Sequence, residues 1–131
     1  MITKLGVNIE DLSPIVLAAL PEMEAARLEA LEDAGGMEML VTAGAEGHPG
    51  DKTHSDLSLH YPANCPGGKG LAIDLSVLDV IRQIRVVMAN RLGLGWDVIL
   101  EYPERCPSCK RRLVAPHLHN ERDPKKKALE V

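Results

Sequence analysis

The run Lys69-Gly70-Leu71-Ala72-Ile73-Asp74-Leu75 sets one carboxylate inside an otherwise apolar stretch. Apolar on both sides of Asp74, residues 70–75 read as a buried strand. A carboxylate there is taken out of water, which is strongly unfavourable unless it is paired or bound to a cation. The fold must therefore bring Asp74 a partner. Histidines are the candidates: His60 in Ser58-Leu59-His60-Tyr61, and the pair in His117-Leu118-His119 near the other end. In a strand, alternation points both rings of that pair to one face. Two imidazoles and one carboxylate are three donors of the kinds zinc accepts. They leave a fourth position for water, which is the arrangement of an open hydrolytic site and not of a closed structural one.

Around this core the chain alternates between packing segments and loops. Residues 8–35 read as helical, with Asp11 or Ser13 as the cap and Pro14 in the first turn, where its missing N–H costs nothing. Pro21 restarts a second segment with Ala25, Leu28 and Leu31 at helical spacing, and Gly35-Gly36 is the stop. Met37–Ala43 is short, apolar and partly β-branched, a strand. Residues 44–57 turn to Gly, Pro, Asp and His and read as a loop; His48 and His54 lie there, each by itself a surface histidine. Ser76, with Asp79 three residues on, makes a capping-box-like start to a helix. Val77, Ile81, Ile84 and Met88 share one face of it, and Gly93 ends it. Trp96–Glu101 is a third strand and residues 113–121 a fourth, separated by a Pro- and Cys-bearing excursion over 103–112. The tail after Pro124 is basic and frayed. The expected architecture is one α+β domain over 1–131, with a small, mainly antiparallel sheet packed by helices. N-terminal helices occupy 1–36, a metal-site core 37–123 and a basic tail 124–131.

Charge and aromatic content argue against a nucleic-acid partner, as they do against reading Cys106-Pro-Ser-Cys109, which has no second Cys-x-x-Cys pair, as a nucleic-acid-binding zinc ribbon. The net charge is −4, Phe is absent, and Trp96, Tyr61 and Tyr102 are the only aromatic residues. Neither a phosphate-neutralising surface nor a base-stacking platform can be built from that. Lys110-Arg111-Arg112 and Lys125-Lys126-Lys127 are short clusters that read as solvated surface. No apolar run approaches the roughly 20 residues that span a bilayer, so no membrane insertion is expected. Met1-Ile2-Thr3-Lys4 lacks the features of a secretory signal. Three cysteines cannot pair completely within the chain, which points to synthesis in a reducing compartment.

Taken together, Val-Thr-Ala-Gly (41–44), Ser-Leu-His-Tyr (58–61), Lys-Gly-Leu-Ala-Ile-Asp (69–74), Val-Ile-Leu-Glu (98–101) and His-Leu-His-Asn-Glu (117–121) resemble the M15 family of zinc peptidases. These are the D-Ala-D-Ala carboxypeptidase and phage endolysin relatives that share a fold with the hedgehog signalling domain. The match covers roughly residues 38–123. The resemblance implies that His60, Asp74 and His119 ligate zinc, that His117 stabilises charge beside the metal, and that Glu101 is the catalytic carboxylate. Ser58 and Tyr61 would help position substrate. It further implies hydrolysis of peptidoglycan stem peptides, of D,D-carboxypeptidase or endopeptidase type or of L-alanyl-D-glutamate type. Such a protein, lacking a signal, would reach the wall through a holin, a virion or lysis. A zinc-holding relative without turnover is the alternative. Oligomeric state is left open.

The chain departs from the family at two insertions. The family's first motif separates its His and Asp by six residues, whereas thirteen intervene here, and removing Pro62–Gly68 restores six. A long segment also divides Glu101 from His117, so Glu121, and after it Asp97, are fallback carboxylates. Both insertions carry cysteine. Cys65, Cys106 and Cys109, with His48 or His54, can form a second, structural zinc site, since Cys106-Pro-Ser-Cys109 is a thiolate-feeding Cys-x-x-Cys turn. A Cys106–Cys109 disulfide and free thiols are the alternatives.

Overall fold

A computed structural model of the chain describes residues 2–31, 39–50, 57–76, 81–101 and 117–124. In order these form β1 (Ile2–Thr3), α1 (Pro14–Leu31), β2 (Leu40–Ala43), β3 (Ala72–Ser76), α2 (Ile81–Leu92), β4 (Trp96–Glu101) and β5 (His117–Arg122). Two single 3-10 turns, Pro62–Asn64 and Pro66–Gly68, precede β3. The five-stranded sheet has the order β1-β2-β3-β5-β4. Only β1 and β2 run parallel; the other neighbours are antiparallel. Among the described residues, then, the chain is α+β, with a mostly antiparallel sheet and two helices.

Local chemistry explains the start of α1 and corrects two expectations about it. The helix begins at Pro14, not at residue 8. Ser13 is the cap: its Oγ accepts from the Ile15 amide at 3.4 Å, and its carbonyl takes Val16 and Leu17. Residues before it are held in a turn instead, where Asn8 Oδ1 accepts from the Asp11 amide at 3.1 Å. Nor does Pro21 restart the helix, since α1 runs through it. Pro21 is exposed and forfeits only its own N–H bond, while Val16, Met23 and Ala26 are fully buried on either side of it. The buried face is also offset from the expected one: Leu28 is exposed, and Arg27 is buried against Glu24 at 2.8 Å. Residues 32–38, including the Gly35-Gly36 stop, lie outside the described residues, as does the Ser76-to-Asp79 cap region beyond Ser76 itself.

The second helix ends as its sequence demands. Gly93 takes φ +86°, a left-handed conformation that a Cβ disfavours, and its amide still reaches Ala89 O at 3.1 Å. Its own carbonyl then accepts from Trp96, which starts β4 directly.

Register divides the sheet into two chemically different faces. Leu75 lies opposite Leu118, which lies opposite Leu100; Ile73, Asn120 and Val98 form the next row. With Val41, Ile84 and Met88 these make the helix-covered core, into which α1 contributes Val16, Met23 and Ala26. Asn120 is accommodated there by donating to Met88 Sδ at 2.8 Å. Because strand side chains alternate, the intervening rows point away from the helices. Those rows are Asp74, His119 and Ile99; Glu101 and His117; and Ala72, Glu121 and Asp97. Nearly every ionisable residue of the central strands is on that second face.

Candidate metal centre

Asp74 on β3 and His119 on β5 are direct cross-strand partners, the pairing that brings side chains closest on a sheet face. His60 comes from outside the sheet. Its segment is fastened by Leu71 N to Leu59 O at 3.0 Å, by Glu46 N to His60 O at 3.0 Å and by His60 N to Ser58 Oγ at 3.1 Å. The three side chains meet. Asp74 Oδ1 is 2.8 Å from His119 Nδ1 and 3.1 Å from His60 Nε2, and the two nitrogens are 3.3 Å apart. All three residues are buried, His60 to 1%, Asp74 to 5% and His119 to 9% relative exposure. Among the described residues this is the one group of His, Cys, Asp or Glu side chains close enough to share a metal ion.

The outward nitrogens decide what the centre wants. His60 Nδ1 lies 2.7 Å from the carbonyl oxygen of Gly44, and His119 Nε2 lies 2.8 Å from Glu121 Oε1. Both partners accept, so with a metal on the inward nitrogens each ring would carry its hydrogen on the outward one. In the neutral rings the inward nitrogens then present lone pairs, and they do so beside a carboxylate oxygen. Three acceptors facing one another repel unless a cation stands among them. A divalent metal fits. Tetrahedral zinc with ligand distances of about 2.0–2.1 Å separates its donors by about 3.3–3.4 Å; the spacings of 3.1 and 3.3 Å to His60 lie close to that, and the 2.8 Å between Asp74 and His119 would have to widen by about half an ångström. The residues present can therefore hold a metal ion.

Without one, a proton must serve. Burial opposes a negative charge on Asp74, but hydrogen bonds from His119 and His60 outweigh it and hold the carboxyl well below the usual carboxylate range. Burial likewise opposes a positive His119. Here the flanking carboxylates of Asp74 and Glu121 win, and its pKa is pushed up to about 10.

A second pair stands beside the first group. His117 Nε2 lies 3.0 Å from Glu101 Oε2 and 3.7 Å from Asp74 Oδ2, while the Glu101 side chain is 44% exposed. So Asp74 turns one oxygen to the two inner histidines and the other to His117. Glu121 stands on the far side of His119, with one oxygen taken by that ring. Asp97 is on the same face, opposite Glu121 in register. Of the residues expected to position substrate, Ser58 uses its hydroxyl to accept the His60 amide, and Tyr61 is fully buried.

Cys65 sits in the hydrophobic core, its thiol donating to Leu59 O at 3.2 Å and Tyr61 O at 3.5 Å. Burial pushes that thiol up, which favours the neutral form over the thiolate a metal needs. Cys106, Cys109 and His54 lie outside the described residues, and His48 is exposed.

One functional group was missed because it is backbone: the Gly44 carbonyl that orients His60. Its position depends on glycine. A Cβ at residue 44 would stand 2.3 Å from Asn8 O, whose partner is the Ala45 amide at 2.9 Å. Gly44→Ala is therefore expected to push the N-terminal segment off β2 and move the carbonyl from His60. A loss of about 1–3 kcal/mol in urea unfolding of the metal-free protein, together with weakened metal binding, checks this.

No family model matches the chain, no curated protein matches it, and no solved structure matches it.

Proposed function

We propose that the chain is a zinc-dependent peptidase acting on peptidoglycan stem peptides. One observation carries the reading: three buried donors converge on a point, and the Glu101–His117 pair lies on the same sheet face within 3.7 Å of Asp74. His60, Asp74 and His119 would hold the ion through two nitrogens and one oxygen, a donor set that suits zinc and leaves a coordination position open. When bound, zinc supplies Lewis acidity, polarising a carbonyl and acidifying water. The chain's own groups do the rest. Glu101, half exposed, takes a proton from the attacking water and returns it to the leaving amine. His117, whose Nε2 lies 3.0 Å from Glu101 and 3.7 Å from Asp74, stands beside the place of the ion and would stabilise the negative charge that develops on the carbonyl oxygen. Buried packing around His60 keeps bulk water from the ligands. Preference for wall peptides rests on the resemblance of the five motifs to the zinc carboxypeptidase and endolysin family. No helix among the described residues is long and apolar enough to cross a membrane.

The test is direct. Zinc-loaded protein incubated with purified sacculi should release new amino groups, a chelator should stop the release, and added zinc should restore it. Sacculi that yield no amino groups while the protein retains zinc would support a binding role in place of turnover.

A further inference from the structure

We propose that Glu121 is a positioning residue for the metal, selecting Nδ1 of His119 as the donor. This rests on the metal reading above and adds a role the sequence did not suggest, where Glu121 stood only as a substitute proton-transfer carboxylate.

The argument starts from the strand. His119 and Glu121 are two residues apart on β5 and so share a face. That brings Glu121 Oε1 to 2.8 Å from His119 Nε2. The ring is thereby held between two carboxylates: Asp74 Oδ1 is 2.8 Å from Nδ1 on the other side. An imidazole can turn about its Cβ–Cγ bond and offer either nitrogen. Only one orientation lets Nε2–H meet Glu121 while Nδ1 faces Asp74 and His60. Removing the Glu121 acceptor removes the reason for that orientation. His60 is set the opposite way: the Gly44 carbonyl holds its Nδ1 at 2.7 Å and leaves Nε2 inward. The centre therefore joins one histidine through Nε2 and the other through Nδ1, and each choice is made by an acceptor outside the group. An anionic acceptor also makes the ring a better donor to a metal. Glu121 is 23% exposed and so part of the wall of the site, not of its solvent face.

Titration of Zn²⁺ into metal-free wild type, Glu121→Gln and Glu121→Ala tests this, with affinity read by competition against a chromophoric chelator. The ring tautomer of His119 is read in the same samples by long-range ¹H–¹⁵N NMR. Glu121→Ala should bind zinc about 10- to 100-fold more weakly and lose the Nδ1-bound, Nε2-protonated pattern of His119. Glu121→Gln keeps an acceptor oxygen and should recover most of the affinity and the tautomer. Wild-type affinity and an unchanged tautomer in Glu121→Ala would overturn the role of Glu121 while leaving the metal site standing. Equal weakening in both variants with the tautomer intact would overturn it too, because charge alone would then account for the loss. Failure of wild type to bind zinc would overturn the metal reading itself, and the proposal with it.

Discussion

Asp74→Asn is expected to abolish stoichiometric zinc binding. The substitution keeps the size of the side chain and removes the only negative charge among the three inner donors. An amide oxygen is a poor exchange for a carboxylate at a divalent ion. The loss should be on the order of 10³-fold or more, beyond the roughly 10- to 100-fold expected of a residue that touches only a ligand. Metal counting after dialysis checks it, and one tightly held zinc in Asp74→Asn would place the ion elsewhere.

The same variant reports on the metal-free protein. Asp74 has a depressed pKa in the folded state, so its contribution is present above the unfolded value of about 3.9 and is lost as pH falls through the folded one. His119 runs the other way: raised to about 10, it contributes fully below the unfolded value of about 6.5, and that contribution is lost as pH rises towards 10. Metal-free wild type should thus be most stable near pH 4–6.5 as far as this group is concerned, and should weaken from there to pH 10. Asp74→Asn should cost about 3 kcal/mol at pH 6, as expected for breaking a buried charge pair, and should flatten that alkaline slope. Zinc should reverse the slope, because the ion competes with the His119 proton and gains as that proton becomes scarce. Urea unfolding from pH 5 to 10, with and without zinc, separates these outcomes.

The second large effect is on rate. Glu101→Gln should lower amino-group release from sacculi by about 10²- to 10⁴-fold, the usual scale for a positioned acid–base group, with one zinc per chain retained. Glu101 is well placed for this division of labour. It contacts His117 at 3.0 Å, is absent from the metal-holding trio, and reaches solvent. Glu121 is less suited, since one of its oxygens is held by His119 at 2.8 Å and its side chain is 23% exposed against 44% for Glu101. Undiminished release by Glu101→Gln would assign the proton transfer to another group.

How much of this was legible depends on whether the information is carried by side-chain pattern or by distant pairing. Trp96–Glu101 was readable to the residue, since Gly93 and Gly95 stand just before a short apolar run with β-branched Val98 and Ile99. The burial of Asp74 was readable from its neighbours, and the shared face of His117 and His119 from their spacing. Which strand lies opposite β5 was not, because Asp74 and His119 are 45 positions apart and nothing local encodes the partner. Pro21 misled, because exposure on the outer side of α1 makes its missing N–H tolerable. β1 escaped notice since two residues have no periodicity to detect. The Gly44 carbonyl left no trace beyond the glycine itself, whose need for close approach to Asn8 is a three-dimensional fact.

The alternating rows of β5 make the centre a proofreader of assembly. A slip of one position against β3 would send His117, His119 and Glu121 among the leucines and turn Leu118 and Asn120 outward. A slip of two would restore the faces but set His117 or Glu121 where His119 belongs, facing Asp74. Neither product would rebuild the trio together with its outer acceptor, since a ring at His117 would have His119, and not Glu121, two positions behind it. If the centre takes zinc as proposed, tight zinc retention would count correctly threaded molecules, and in a refolding mixture it should separate them from compact but misaligned ones that circular dichroism would score alike.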